Sequence, residues 1–527
     1  MKRRTFLAAS AASLALPSVA RAQAQTTLRY IPQADLAILD PHTTAAYVTR
    51  NHGYMVYDTL FGLDADYKPS PQMLEGHTVE NDGKLWKLRL RDGLLWHDGE
   101  KVLARDCVAS IKRWSKRDPF GEPLLAATDE LSAPDDRTIQ FRLHKKFALL
   151  PDALGKSLSQ MCAMMPERLA NTDPFKPVSE IIGSGPFRYL QDERLQGARN
   201  VYARFDKYRP REGGTPDWTA GPKIVHHDRV VWTTMPDNST AAAALQTGEQ
   251  DWWDFPPIDL QPLLRKNDKV KVIIQDPTGG VILMRPNHLQ PPFNNPAIRR
   301  ALLWGIDQTE FMQAIVGDNP DMYFVPEGTF CPRTPMASEA GLEPFKGRRD
   351  YARVKDAIKQ AGYGGEKVVL MAGSDIFEMK TTAEVMADVL KRIGFNVDLV
   401  LADGASLFPR RNNKGPVDQG GWSAFITGFS GSNQLSPPVH LPVRGNGDAA
   451  NSWPGWCVSP ELERLRTAWF DAPDLAGQQE ICRQMQLQAM QDVPYYPLGQ
   501  FAEPTAHRTE IVDMLGGFSI FWNVRPG

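Results

Sequence analysis

The chain has 527 residues, with 60 Lys and Arg against 62 Asp and Glu, a formal net charge of −2 and 42% hydrophobic residues. At roughly 100–200 residues per domain, the length suits two to four domains, and the apolar content is that of a globular protein. No basic arm or stripe breaks the charge balance, which argues against nucleic acid and anionic lipid as partners.

Lys2, Arg3 and Arg4 precede Thr5, Phe6 and Leu7; an Ala- and Ser-rich run continues to Leu16, followed by Pro17 and Ala20-Arg21-Ala22. A charged head, a short apolar middle and a small-residue ending read as an export signal over residues 1–22. The adjacent arginines point to the twin-arginine route. The run falls short of the roughly 20 apolar residues of a membrane span. Cleavage after Ala22 removes four basic residues and leaves 56 basic against 62 acidic side chains. No later run is long and apolar enough to span a bilayer, and the first cysteine is Cys107, so a free, unlipidated protein is expected, periplasmic in a host with two membranes. Cys107, Cys162, Cys331, Cys457 and Cys482 are scattered, which fits neither a zinc site nor a disulfide framework.

Leu28 and Tyr30 open a strand-like segment, and a helix is expected from about Tyr47 to Leu60. Asp82-Gly83, Asp92-Gly93 and Asp98-Gly99 mark turns, and between the first two Trp86, Leu88 and Leu90 alternate with charged residues. Leu103 to Trp114 reads as helix, and Ile139, Phe141 and Leu143 as a second alternating strand, giving a compact antiparallel lobe. Further on, Asp237 or Asn238 caps a helix stopped by Gly248, and Asn295 with Pro296 opens another, along which Ile298, Ala301, Leu302, Ile306 and Ile315 recur. Tyr351–Ala361 (helix), Val368–Met371 (strand), Thr381–Ile393 (helix) and Phe395–Leu401 (strand) predict a parallel strand pair joined by a right-handed crossover. Two helices follow, Pro460 to Phe470 with Ser459 as cap, and about Gln478 to Met490. The fold class is mixed α/β.

Catalytic signatures are absent: no glycine-rich phosphate loop, Gly-x-Ser-x-Gly elbow or His-Glu-x-x-His helix occurs. Asp251 and Asp254 flank Trp252-Trp253 and could serve a secreted hydrolase, or be solvated acids at a strand end. His226-His227 are adjacent, so their side chains diverge. An exported, multi-lobed chain without catalytic groups fits a binding protein better than an enzyme.

Several blocks carry a resemblance: Leu39-Asp40-Pro41-His42; Leu60-Phe61-Gly62-Leu63-Asp64; Leu74-Glu75 through Trp86-Lys87-Leu88-Arg89-Leu90-Arg91-Asp92-Gly93 to Trp96-His97-Asp98-Gly99; Ile182-Gly183-Ser184-Gly185-Pro186-Phe187; Leu245-Gln246-Thr247-Gly248-Glu249-Gln250-Asp251; Pro292-Phe293-Asn294-Asn295-Pro296-Ala297-Ile298-Arg299-Arg300-Ala301-Leu302; and Gln360-Ala361-Gly362-Tyr363. In this order the chain resembles the extracytoplasmic solute-binding proteins of family 5, which serve ABC importers for peptides and nickel. The resemblance implies a three-lobed periplasmic binding protein-like fold: lobe I at residues 23–70, 180–280 and 498–527, a hairpin-rich lobe II at 71–179, and lobe III at 281–497. It implies that lobes I and III close over a small solute, a peptide or amino-acid conjugate, and present it to a permease with its ATPase. No catalysis, cofactor or resident metal is expected, and a monomer is. A metal-chelate receptor of the same family, using His226 or His440, is the alternative within it.

Peptide-binding relatives hold the α-amino group with an aspartate after a Gly-Trp-type pair. Here the run is Thr427-Gly428-Phe429-Ser430-Gly431-Ser432-Asn433, which places Phe429 at the aromatic and Ser432 at the acid. Loss of a desolvated charge pair costs about 2–5 kcal/mol, so either the ligand lacks that amine or another acid substitutes. By the same resemblance Tyr47 and Phe120 line the cleft, Arg410 or Arg411 grips a carboxylate, and Trp422 and Phe425 offer stacking surface. Core packing for the aromatics and a solvated loop for the arginines stay open.

Overall fold

The computed structural model describes residues 26–449 and 452–527. The export signal at residues 1–22 lies outside the described residues.

Three sheets organise the chain. Alternating burial of Trp86, Leu88 and Leu90 turns one face of Leu85–Leu90 inward. It pairs antiparallel with Leu74–Glu80 and with Thr138–Leu143, and Thr128–Ser132 closes this four-stranded sheet. Asn81, Asp82 and Gly83, all with positive φ, make the first tight link. Helix Ala104–Trp114 packs on the sheet.

A seven-stranded sheet runs in the order 270–273, 505–508, 252–253, 27–31, 229–233, 199–204 and 187–189. Strand Thr27–Ile31 is parallel to both its neighbours. A six-stranded sheet runs 323–324, 496–501, 280–286, 424–430, 367–373 and 396–402. Here Lys367–Gly373 and Asn396–Ala402 are parallel and helix Phe377–Ile393 joins them, so the expected strand–helix–strand unit is present. Every residue of Gly280–Pro286 is buried, as befits a central strand covered on both faces.

Caps fall where the side chains dictate. Asp237 accepts Thr240 N at helix Asn238–Thr247, left-handed Gly248 ends that helix, and Ser459 accepts Leu462 N at helix Pro460–Trp469. Three expectations need correction. The first helix is Tyr47–Val56, and the chain is extended from Tyr57. The apolar repeat after Asn295 spans two helices, Pro296–Leu303 and Gln308–Val316, because Asp307 turns back to accept Thr309 N and starts a new one. The last helix is longer than its pattern, Leu475–Asp492.

Trp96, Trp114, Trp232, Trp252, Trp422 and Trp522 are fully buried, so these six fill cores. All five cysteines are buried free thiols. Among the described residues no helix is long and apolar enough to cross a membrane.

The four- and seven-stranded bodies are pinned by a fully buried ion pair, Arg113 to Asp40 at 2.7 Å, with Arg113 also donating to the carbonyls of Thr172, Asp173 and Lys176. The six-stranded body is reached differently. The chain passes between it and the seven-stranded sheet twice, at residues 274–279 and 502–504. Ile273 pairs with Thr505 on one side of the crossings and Gly280 with Phe501 on the other, so the two segments run side by side.

Candidate functional site

The crossings form the floor of a cleft between the two larger bodies, and Tyr47 spans it. This tyrosine opens helix Tyr47–Val56, which Thr49 ties to the Ile38 carbonyl at 2.7 Å. Its hydroxyl accepts a hydrogen bond at 2.9 Å from Ser430 N, at the end of strand Ala424–Ser430. Beyond Ser430 the chain turns into a short helical turn, with Ser430 Oγ and Ser432 Oγ 2.8 Å apart and Gly431 N donating to the Gly279 carbonyl of the first crossing at 2.7 Å.

Each crossing brings one carboxylate. Asp276 accepts from Thr278 N at 2.8 Å and Thr278 Oγ1 at 2.7 Å, and lines a cavity of about 100 Å³ with Tyr67, Trp218, Ser432 and Phe518. Glu503 lines a separate cavity of about 440 Å³ with Phe255, Ile258, Phe377, Glu378 and Phe501. Burial, reinforced by Asp276, Glu378 and Asp254, pushes the Glu503 carboxyl up to about 8, against a small opposing effect of Arg50. Tyr67 and Trp218 are shared with a third cavity of about 360 Å³, apolar in character, walled by Phe120, Met336, Val439 and Trp469. The cleft therefore offers a small chamber with one carboxylate in its lining beside a larger one.

The residues anticipated from sequence divide into groups. Tyr47 and Ser432 meet at the crossings. Phe120 is buried against Phe147, Trp469 and Phe470 and lines the apolar chamber. Phe429 is half-buried on Trp453. The rest gather within the six-stranded body. Trp422 and Phe425 are fully buried in one cluster with Trp456, where Trp422 donates to the Arg411 carbonyl at 3.1 Å. Arg410 donates to the carbonyls of Gly420 and Gly421. Arg411 lies over the rings of Phe408 and Phe425 at 4.4 and 5.1 Å, and burial lowers its pKa.

Sequence reading missed Arg50, Tyr67, Trp218, Asp276, Glu503 and Phe518. They are distant in sequence and share no spacing. The one available signal was positional: Asp276 and Glu503 lie near the ends that the resemblance assigns to lobe I.

The hydrolase alternative fails on geometry. Asp251 is clamped by Arg29, receiving Nε at 2.9 Å, Nη2 at 2.8 Å and the backbone N at 2.8 Å. Asp254 is buried, accepts from Ser519 Oγ at 2.5 Å, and has its pKa raised by desolvation. For the metal alternative, His226 is exposed and His227 buried. His440 is buried, its Nε2 3.1 Å from the Tyr495 hydroxyl and 2.5 Å from the Thr329 carbonyl. Among the described residues no three His, Cys, Asp or Glu side chains are grouped to hold a metal.

Residues 68–451 match the model of bacterial extracellular solute-binding proteins, family 5. A relative from Sinorhizobium fredii, named "Probable peptide ABC transporter periplasmic-binding protein", is 36% identical over 524 residues, covering 98% of this chain and 97% of that one. Among solved structures, the periplasmic binding protein DppA of Helicobacter pylori in complex with peptide STSA superposes with a TM-score of 0.76 at 20% identity, covering 95% of this chain and 98% of that one. The dipeptide binding protein of Pseudoalteromonas sp. SM9913 in complex with Met-Leu gives 0.76 at 18% identity, with 95% and 100% covered. The chain belongs to solute-binding protein family 5; it is the substrate-binding component of an ABC importer, a transport receptor and not an enzyme.

Proposed function

We propose that this family 5 receptor captures a peptide or peptide-like solute in the periplasm, between the seven- and six-stranded bodies, and delivers it to a permease with its ATPase. The arrangement of the two crossings carries the reading. Two short antiparallel connections are a hinge, while the buried Arg113–Asp40 pair holds the four-stranded body to the seven-stranded one. Lobe I (23–70, 180–280 and 498–527) thus moves with lobe II (71–179) against lobe III (281–497). The mature chain acts as a monomer after cleavage of its twin-arginine signal. Tyr47, Phe120, Phe429 and Ser432 face the solute, and Asp276 and Glu503 on the crossings supply the acid that Ser432 does not. Arg410, Arg411, Trp422 and Phe425 act behind them, shaping the wall from within lobe III. A ligand stabilises the closed form only by its differential affinity for it, and closure is what the permease reads. The S. fredii relative's name supports a peptide as the cargo.

The test is a thermal-shift titration with a tryptic casein digest, paired with small-angle scattering. A ligand at 100 times its Kd adds about 2.7 kcal/mol and lowers the radius of gyration. An unmoved melting curve and unchanged scattering would falsify the peptide reading.

A further inference from the structure

Five arginines are buried among the described residues: Arg50, Arg113, Arg285, Arg299 and Arg508. Four have their terminal nitrogens engaged. Arg113 holds Asp40 and three carbonyls, and Arg285 donates Nη1 to the carbonyls of Pro442 and Pro494. Arg299 donates Nη1 to the Phe293 carbonyl, and Arg508 reaches the Gln246 carbonyl and Glu510. Arg50 is 4% exposed, yet only its Nε is used, donating to Asn51 Oδ1 at 3.1 Å. Among the described residues it forms no ion pair. Asp276 and Asp254 lie close enough to influence it electrostatically, but Asp276 is turned to Thr278 and Asp254 to Ser519.

The guanidinium is instead held by rings, 4.1 Å from the Phe518 centroid and 5.0 Å from that of Tyr47. Phe518 is a wall of the chamber that Asp276 and Ser432 also line, and Tyr47 is the residue that touches Ser430 across the cleft. Rings stabilise a cation through their faces but accept nothing from its in-plane N–H groups. A charged fork left idle inside the protein is costly unless something pairs with it, and a planar pair of N–H donors matches a carboxylate bidentately.

We propose that Arg50 is the anion grip of this receptor, and that its two terminal nitrogens bind a carboxylate of the captured solute at the centre of the cleft. The assignment rests on the receptor reading above and narrows it to ligands with a free carboxylate. It moves that role from Arg410 and Arg411, in lobe III, to the first turns of the helix in lobe I.

The test compares a tryptic casein digest with the same digest after methyl esterification of its carboxyl groups, on the wild-type chain and on Arg50→Gln and Arg50→Lys. The native digest is expected to raise the wild-type melting temperature and the esterified digest not to. Arg50→Gln is expected to weaken binding at least about 30-fold, the lower bound for truncating one partner of a buried charge pair, and Arg50→Lys to recover part of it. If the esterified digest shifts the wild type as far as the native one, the anion grip is overturned while the peptide receptor stands. If Arg50→Gln, folded by circular dichroism, binds as tightly as wild type, the same follows. If neither digest moves the wild type, both readings fall.

Discussion

Glu327 has no exposed surface, and its carboxylate accepts a hydrogen bond from Gly499 N at 2.8 Å. Burial pushes its pKa up to about 8 from an ordinary 4.5. The folded state therefore holds this proton more tightly than the unfolded state, and its contribution to stability declines as pH rises from 4.5 through 8. Glu503 acts in the same direction over the same range. Buried His42, His97 and His440, lowered to about 4, and His52, lowered to about 3, act oppositely: their contribution is complete above 6.5 and is lost as pH falls toward those values. Between pH 6.5 and 8 these histidines add no slope while the glutamates still do, so their contribution to stability falls across that window. Glu327→Gln is expected to remove about 1–2 kcal/mol of the fall, read from urea melts at the two ends of the window. An unchanged slope in the variant would show that Glu327 is already ionised at neutral pH.

At the scale of elements, the crossings depend on close backbone approach. Gly279 has φ +50, and a Cβ there would overlap the carbonyl oxygen of Phe501, the strand residue from which the neighbouring crossing departs. Gly279→Ala would strain the backbone by about 1–3 kcal/mol and force the paired segments apart. The expected result is a lower urea midpoint together with a larger radius of gyration in saturating digest. Loss of stability with unaltered compaction would mean that the crossings do not set closure. A local cap also overrides the apolar repeat. The apolar repeat from Ile298 to Ile315 is consistent with one continuous helix, but Asp307 is a better cap than an interior residue, and two helices result.

For the molecule as a whole, closure requires the two larger bodies to be only weakly biased before ligand arrives. Tyr47 supplies one hydrogen bond to that bias. Tyr47→Phe removes an acceptor worth about 1 kcal/mol, which corresponds to about a fivefold weaker apparent affinity for the digest, with thermal stability nearly unchanged. Scattering of the ligand-free variant should shift toward the more open form. A variant that binds as wild type does would place the closing contacts elsewhere on the interface.

Sequence by itself determined the architecture and the family. Alternation in 85–90, the caps at Asp237 and Ser459, and the helix between two parallel strands at 367–402 are short-range signals, and the motif blocks occur in family order along most of the chain. It also flagged Ser432 as a departure from the peptide-binding pattern. What it could not supply was which side chains face one another. Arg410 and Arg411 read as a carboxylate grip because arginines in a loop carry no record of the Gly420 and Gly421 carbonyls that engage Arg410 or of the Phe408 and Phe425 rings that pack on Arg411. Arg50 read as one more residue of a helix. Its lack of a direct ion pair among the described residues, and its place beside a chamber built from residues 67, 218, 276, 432 and 518, arise only when segments hundreds of residues apart are packed together, since burial and pairing are properties of neighbours in space.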